Sequence, residues 1–220
     1  MAEAHEALEH MMQIEIWSDV ICPWCYIGKR HFEKALEKFG HHKDINVIWR
    51  SFELDQDAPR HYPGTSVERL SKKYGVNLQE AAAMNARVTA VAREVGLEYR
   101  LEHARPGNTF DAHRLLHFAA SKLLGDRAAE CIMQAYFAES LPVGDRAALA
   151  HLAPKFGIPE MEALEILEGD SYADAVRADE SRATEFGIAG VPFFVFDGTS
   201  GISGAQPTEV FAEALQQMYN

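Results

Sequence analysis

The sequence predicts an α/β fold: a mixed sheet with strand–helix–strand order at its start, strand–strand–helix order at its end, and a large all-helical insertion between them. Three observations carry this. The β-branched and aromatic run Ile14 to Val20 breaks at Ile21-Cys22-Pro23 into apolar residues at helical spacing. Helical patterns alone then fill the stretch from about Ser66 to Phe186. The short run Phe193 to Phe196, bounded by turn residues, returns to strand character near the end.

Taken in order, Ile14 to Val20 is the first strand, and Pro23 suits the first turn of the helix that follows. Ile27, Phe32, Ala35, Leu36 and Phe39 form that helix's apolar stripe over Trp24 to Phe39, and Gly40 stops it. A second strand covers Ile45 to Leu54, with Ile45, Val47 and Trp49 alternating onto one face. Pro59, Pro63 and Gly64 break the pattern. Helices are expected over Leu78 to Val95, Thr109 to Leu124, Asp126 to Leu141, Arg146 to Phe156, Glu160 to Glu168 and Ser171 to Phe186. A hairpin turned at Asp197-Gly198 joins Phe193 to Phe196 with an edge strand at Gly201 to Gly204, and Pro207 to Met218 is the last helix. The sheet-forming parts are thus residues 13–64 and 187–220, with the helical insertion at 65–186.

Composition narrows the function. With 47% hydrophobic residues the 220-residue chain can build a substantial core without staples. Its net charge of −12 repels phosphate backbones and anionic surfaces, so neither nucleic acid nor a membrane is an expected partner. No apolar run approaches the ~20 residues needed to span a bilayer. Met1 to Gln13 lacks the continuous apolar stretch of a secretory signal, which makes the cytoplasm the expected compartment. The run from Ala2 to His10 reads as a helical or frayed extension and is left out of the fold argument.

Three cysteines cannot make a disulfide framework in a chain of this size. Two of them, Cys22 and Cys25, stand at the strand-to-helix junction. The thiolate is the attacking species, and a helix N-terminus stabilises it. With Cys22 as N-cap, its sulfur faces the free N–H groups of the first turn, and Cys25, one turn on, is placed to resolve a mixed disulfide. Cys22 is therefore expected exposed and Cys25 more buried. A lone Cys-x-x-Cys is also half of a zinc site, but there is no second such pair, and His113 and His117 lie far off in sequence. No metal is expected. Val191-Pro192 directly precedes the Phe193 strand; a proline can open a strand innocently, and only about 5% of X–Pro bonds are cis.

Four segments carry a resemblance: Ser18 to Lys29 (with Cys22-Pro23-Trp24-Cys25), Asn108 to Leu115, Gly187 to Phe194 and Ser203 to Gln206. In that order they resemble the DsbA-like oxidoreductases of the FrnE subgroup, over Gln13 to Asn220. The resemblance implies a thioredoxin fold, Cys22 as nucleophile, Cys25 as resolving thiol, and Pro192 as a cis-proline facing the cysteines. It further implies that the Val191 backbone pairs with an extended substrate segment. The substrates would be thiols or disulfides, protein or small molecule, with no cofactor beyond the redox-active disulfide and with glutathione as a candidate co-substrate. In the periplasmic DsbA the residue before the second cysteine is His. Here it is Trp24, so a less oxidising centre is expected, one suited to reductase or isomerase work.

Other residues have two readings each. Asp19 could relay protons, but short acidic side chains also set turns, and the turn role is favoured. Lys29 lies four residues beyond Cys25 and could tune it, although helix lysines are usually solvated. His113 and Arg114 could face the cleft, Arg114 holding an anionic group; the competing reading is a helix cap by Asn108 or Thr109 with exposed polar neighbours. Cys131 sits at apolar helical spacing, as an inert cysteine does. Trp17 and Trp49 read as core, and Trp24 as a partly exposed contact surface.

The chain also resembles kappa-class glutathione transferases and 2-hydroxychromene-2-carboxylate isomerases in its order of elements. Those carry serine at the position of Cys22, which favours dithiol exchange here. A glutathione-dependent isomerase or transferase is the alternative, and a peptide-binding holdase with an idle redox centre is a third reading. The sequence leaves a homodimer open.

Overall fold

The computed structural model describes residues 11–219, so the expectation for Ala2 to His10 lies outside the described residues. The strands are β1 (Met12–Ser18), β2 (Ile45–Ser51), β3 (Phe193–Phe196) and β4 (Ser200–Ser203). They form one mixed sheet of order β2-β1-β3-β4, parallel between β1 and β2 and antiparallel elsewhere. The helices are α1 (Pro23–Phe39), α2 (Ser66–Tyr74), α3 (Leu78–Glu94), α4 (Phe110–Ser121), α5 (Gly125–Glu139), α6 (Arg146–Leu152), α7 (Glu160–Glu168), α8 (Ala173–Glu185) and α9 (Thr208–Tyr219). Helices α2 to α8 all fall between β2 and β3, as the sequence predicts.

Strand alternation builds two faces. Met12, Ile14 and Ile16 pack with Phe194 and Phe196 against Phe32 of α1 and Phe211 and Leu215 of α9. Fully burying each such side chain contributes about 1.5–3 kcal/mol. The opposite face places Trp17 and Val195 against Ala183 and Ile188, at the end of α8 and just beyond it, and the Trp17 indole donates to the Asp179 carbonyl at 2.9 Å. A larger core fills the helical part and runs up to Val20, Tyr26 and Ile27 beside the cysteines.

Several boundaries differ from expectation for local reasons. β1 begins at Met12, which pairs with Ile45, and ends at Ser18, where the Asp19 carbonyl accepts from the Cys22 amide and turns the chain. β2 stops at Ser51, opposite that last residue of β1. The helix expected over Arg146 to Phe156 ends at Leu152, and 153–156 tightens into a 3₁₀ turn at Pro154, which lacks an N–H and crowds the preceding turn. At the hairpin, whose register pairs Phe196 with Ser200, Asp197 and Gly198 both take positive φ (44° and 67°), as the two central residues of a type I′ turn do, and the Thr199 amide closes it on the Phe196 carbonyl at 3.0 Å. Trp17 is fully buried, whereas Trp49 is only half-buried, its indole donating to Asp126 at 3.2 Å.

Candidate active site

Helix α1 starts where β1 ends, and Cys22 is its N-cap with extended backbone angles and Pro23 immediately after. The Tyr99 hydroxyl donates to the Pro23 carbonyl at 2.7 Å and pins the first turn. Cys25 lies one turn in, its amide bonded to the Cys22 carbonyl at 3.1 Å. Both cysteines are thiols. Cys25 is 1% exposed, as expected, but Cys22 is only 4% exposed, which corrects the expectation of an open nucleophile. The reason is the loop before β3: the Cys22 thiol donates to the Val191 carbonyl at 3.6 Å, so that segment covers the sulfur. Trp24 is 43% exposed and presents its ring beside the covered cysteine.

The Val191–Pro192 peptide bond is cis. Its position is held from both sides. The Pro192 carbonyl accepts from the Gly204 amide at 2.8 Å, and the ring lies over Gly28 of α1. A Cβ at Gly28 would sit 3.1 Å from Pro192 Cγ and 3.4 Å from Ala205 Cα, so only glycine allows this approach without displacement. Gly28→Val should overpack the contact, shift Pro192 relative to the cysteines and lower stability by about 1–3 kcal/mol. Thermal melting checks this, and an unchanged melt would refute it.

Burial pushes the Cys25 thiol well above the ordinary cysteine range, and the neighbouring Cys22 sulfur adds to the effect; the Ser18 hydroxyl and the Asp19 amide offset part of it. Asp19 itself is fully buried. Its carboxylate accepts from the amides of Leu54 (2.8 Å) and Ile21 (3.4 Å), the turn role favoured from sequence. His113 reaches the same carboxylate, Nε2 to Oδ1 at 3.6 Å. It is buried against the Asp19 turn rather than facing a cleft. Burial lowers its affinity for a proton, but Asp19, then Glu53 and Glu180, raise it further, and the net shift is upward.

Arg114 is not a cleft residue either. It is 1% exposed and is spent on structure: it pairs with Asp111 at 2.8 Å and donates to the carbonyls of Ser171, Ile166 and Gly169, fastening α4 to the end of α7 and the segment after it. Of the expected caps, Asn108 accepts from the Phe110 amide at 3.0 Å, while Thr109 stands at the N-cap without a side-chain bond. Lys29 is neither solvated nor aimed at Cys25. It is buried among Glu33, Asp126 and Glu130 and keeps its proton more tightly than usual; burial opposes this, and the carboxylates, Asp126 first, outweigh it. Arg30 and the Tyr26 hydroxyl close on the same Glu130, holding its carboxyl at about 2 against the effect of burial. This cluster ties α1 to α5. Cys131 is half-buried, and burial raises its thiol. Among the described residues, no group of three or more His, Cys, Asp or Glu side chains is placed to hold a metal ion.

Ser18 and Tyr99 carry no role in the sequence reading. The signal for Ser18 was the polar pair Ser18-Asp19 ending an otherwise apolar strand; Tyr99 left none, since its contact with Pro23 is set by tertiary packing.

In the comparison with known families, residues 13–216 match the DSBA-like thioredoxin domain. The chain belongs to this family. Within the family's reach, the uncharacterized protein YwbO of Bacillus subtilis (strain 168) is 30% identical over 207 residues, covering 93% of this chain and 96% of YwbO. The structure of a probable DsbA oxidoreductase from Streptomyces coelicolor superposes with a TM-score of 0.90 at 42% identity, over 94% of this chain and 90% of that one. The cytosolic disulfide reductase DsbM from Pseudomonas aeruginosa shares the fold alone, with a TM-score of 0.63 at 16% identity over 94% and 98% of the two chains. As a DsbA-like protein the chain has an oxidoreductase scaffold, and none of its described helices is long and apolar enough to cross a membrane.

Proposed function

We propose that this protein is a thiol–disulfide oxidoreductase that exchanges disulfides through Cys22 and Cys25, working as a reductase or isomerase. The observation that carries the reading is the asymmetry of the pair: Cys22 caps α1 at the Val191 loop, and Cys25 lies one turn deeper beside Ser18. Cys22 Sγ attacks a substrate disulfide, forming a mixed disulfide and releasing one substrate thiolate. Cys25 Sγ then attacks Cys22 Sγ, closing the intramolecular disulfide and releasing the second substrate sulfur, so two electrons pass from the dithiol to the substrate. The Val191 backbone and the exposed Trp24 ring offer an extended substrate segment a strand edge and an apolar contact. Because the Cys22 thiol is covered by the Val191 carbonyl, an incoming disulfide must displace that contact, which suits a substrate presenting its own backbone N–H to the same carbonyl.

The FrnE-like motifs and the Trp24 in place of His support a reducing role, in the cytoplasm, with glutathione as the small-molecule co-substrate that returns the centre to the dithiol. The test is redox equilibration of the wild type against glutathione with alkylation of remaining thiols. Oxidised glutathione should protect Cys22 and Cys25 together and leave Cys131 a free thiol, counted by alkylation after unfolding, and the midpoint should lie below the roughly −120 mV of DsbA. A protein that never closes this disulfide would refute the reading, and a midpoint as high as that of DsbA would refute the reducing direction.

A further inference from the structure

A carboxylate is buried at the start of the redox turn. Asp19, the residue after β1, is fully buried, and its carbonyl accepts from the Cys22 amide at 3.0 Å. That bond closes a turn whose end residues lie within about 7 Å of each other. The Asp19 carboxylate accepts from the Ile21 amide at 3.4 Å and the Leu54 amide at 2.8 Å. Amides alone leave a buried charge without a counter-charge, and taking it out of water is costly. Among the described residues one basic side chain lies within ion-pair distance of it: His113, Nε2 to Oδ1 at 3.6 Å. His113 is itself 1% exposed, and its Nε2 has no hydrogen-bond partner among the described residues. A bare Nε2 lone pair would meet the carboxylate oxygen with like polarity, so Nε2 turns a proton towards Asp19.

The other charged groups around the pair are occupied. Glu53, from the segment after β2, and Glu180 of α8 also strengthen His113's hold on a proton, but Arg177 of α8 pairs with both at 2.6 Å. Tyr136 of α5 is buried, and burial keeps its phenol protonated. On α4 itself, His117 pairs with Asp179 at 3.0 Å, and on α1 Lys29 and Arg30 are spent on Glu33 and Glu130. The Asp19 charge is thus balanced when His113 is an imidazolium and unbalanced when it is a neutral imidazole, the side chain that changes form near neutral pH. This balance matters to the exchange chemistry proposed above, on which the inference rests. Cys22 attacks as thiolate, and the N-terminus of α1 favours negative charge on its sulfur. A carboxylate three residues earlier opposes it.

We infer that His113 is a positioning residue for disulfide exchange: its imidazolium balances the buried Asp19 carboxylate and so lets negative charge gather on Cys22 Sγ at the N-terminus of α1. His113 does not touch the reacting atoms. It acts through Asp19, whose carbonyl holds the Cys22 amide. In the attack, the Cys22 thiol gives its proton to water or buffer, Cys22 Sγ bonds to one substrate sulfur, and the substrate S–S bond breaks with its electron pair leaving on the other. The His113 proton stays on the imidazole throughout. Loss of that proton at higher pH leaves Asp19 unbalanced and works against the thiolate, so Cys22 reactivity rises with pH along a shallower curve than a single ionisation gives. By linkage, thiolate formation at Cys22 tightens the hold of His113 on its proton.

The test follows formation of the Cys22–glutathione adduct from oxidised glutathione by mass spectrometry, in a full-length Cys25→Ser parent where nothing resolves it, from mildly acidic to mildly alkaline pH. His113→Gln and Asp19→Asn/His113→Gln are compared with this parent, and thermal melting checks that each is folded. His113→Gln should slow adduct formation about tenfold at neutral pH and move its pH profile upward, because a like charge is left unbalanced beside the thiolate. The double variant removes both charges and should recover to within about threefold of the parent. In the wild type, the His113 ring followed by NMR should release its proton at a higher pH in the dithiol form than in the disulfide form, by up to about one pH unit for a tenfold coupling. That titration decides the matter even where His113→Gln does not fold. A double variant no faster than His113→Gln, a His113→Gln rate slowed equally at every pH, or a ring that titrates identically in both redox forms would overturn the inference while leaving disulfide exchange intact. A parent that never forms the adduct, together with a wild type that never closes the Cys22–Cys25 disulfide, would overturn the exchange reading and this inference with it.

Discussion

Cys22→Ser should abolish disulfide exchange, whereas Cys25→Ser should halt it half-way, with glutathione or substrate held covalently on Cys22. The two outcomes differ because the thiols differ in place. Cys22 is the N-cap of α1 and needs only the Val191 contact displaced to meet a substrate sulfur, while Cys25 lies one turn deeper and is 1% exposed. Removing the attacking sulfur should cost roughly a thousandfold or more in turnover, as loss of a covalent nucleophile does elsewhere. Removing the resolving sulfur leaves the first attack intact, and since serine oxygen cannot displace the adduct, one equivalent of mixed disulfide should accumulate, visible by mass spectrometry and reversed by an added dithiol. Full turnover in Cys25→Ser would instead favour a glutathione-dependent isomerase or transferase, for which a resolving thiol is unnecessary. Client protection undiminished in Cys22→Ser, with no exchange activity in the wild type, would favour the holdase reading.

Much of this arrangement is legible in the sequence because it depends on local pattern. The strand-to-helix junction at Ser18 to Pro23, the positive-φ pair Asp197-Gly198 and the exposed Trp24 follow from turn chemistry and periodicity. What escapes is set by residues far apart in the chain. Cys22 is covered by the Val191 carbonyl, 169 positions away, and no helix-start pattern carries that information. His113 and Arg114 read alike in sequence as polar residues on one helix, yet one faces the Asp19 carboxylate and the other points into a ring of carbonyls, because α4 packs between the sheet side and α7. Lys29 reads as solvated until α5 brings Asp126 and Glu130 against it. A charged residue among apolar neighbours signals a paired site or an error in the strand assignment, and only the fold supplies the pair.

Glu15 makes that point with the largest expected effect on stability. It lies in β1 between Ile14 and Ile16, fully buried, and its carboxylate accepts from Arg182 of α8 at 2.7 and 2.9 Å and from Arg50 of β2 at 2.8 Å. Arg50 also bonds Asp179 at 3.0 Å, and Asp179 accepts from the Ser51 amide at 2.9 Å, so the group locks β1, β2 and α8 together just before Ser18 enters the redox turn. Burial pushes the Glu15 carboxyl up, but the hydrogen bonds from Arg182 and Arg50 outweigh it and hold it below the ordinary glutamate range. The stability this contributes is therefore fully present above that range and is lost as pH falls through the lowered value. In Arg50→Met/Arg182→Met the carboxylate stays buried without a counter-charge, which typically costs about 3–5 kcal/mol. At roughly 2–4 °C per kcal/mol for a chain of this size, the melting temperature should drop by about 6–20 °C. The pH dependence should also change sign. With its partners gone, Glu15 is held above the ordinary range, so its contribution falls as pH rises from that range through the raised value; acidification toward the ordinary range should stabilise the variant, whereas the wild type loses its Glu15 contribution only on acidification below that range. Arg182→Met alone leaves Arg50 in place and should lose much less. Melting curves of the three proteins on both sides of the glutamate range decide the matter: a double variant that melts like the wild type, or that loses stability on acidification in the same way, would mean that the buried carboxylate is not sustained by these two guanidinium groups.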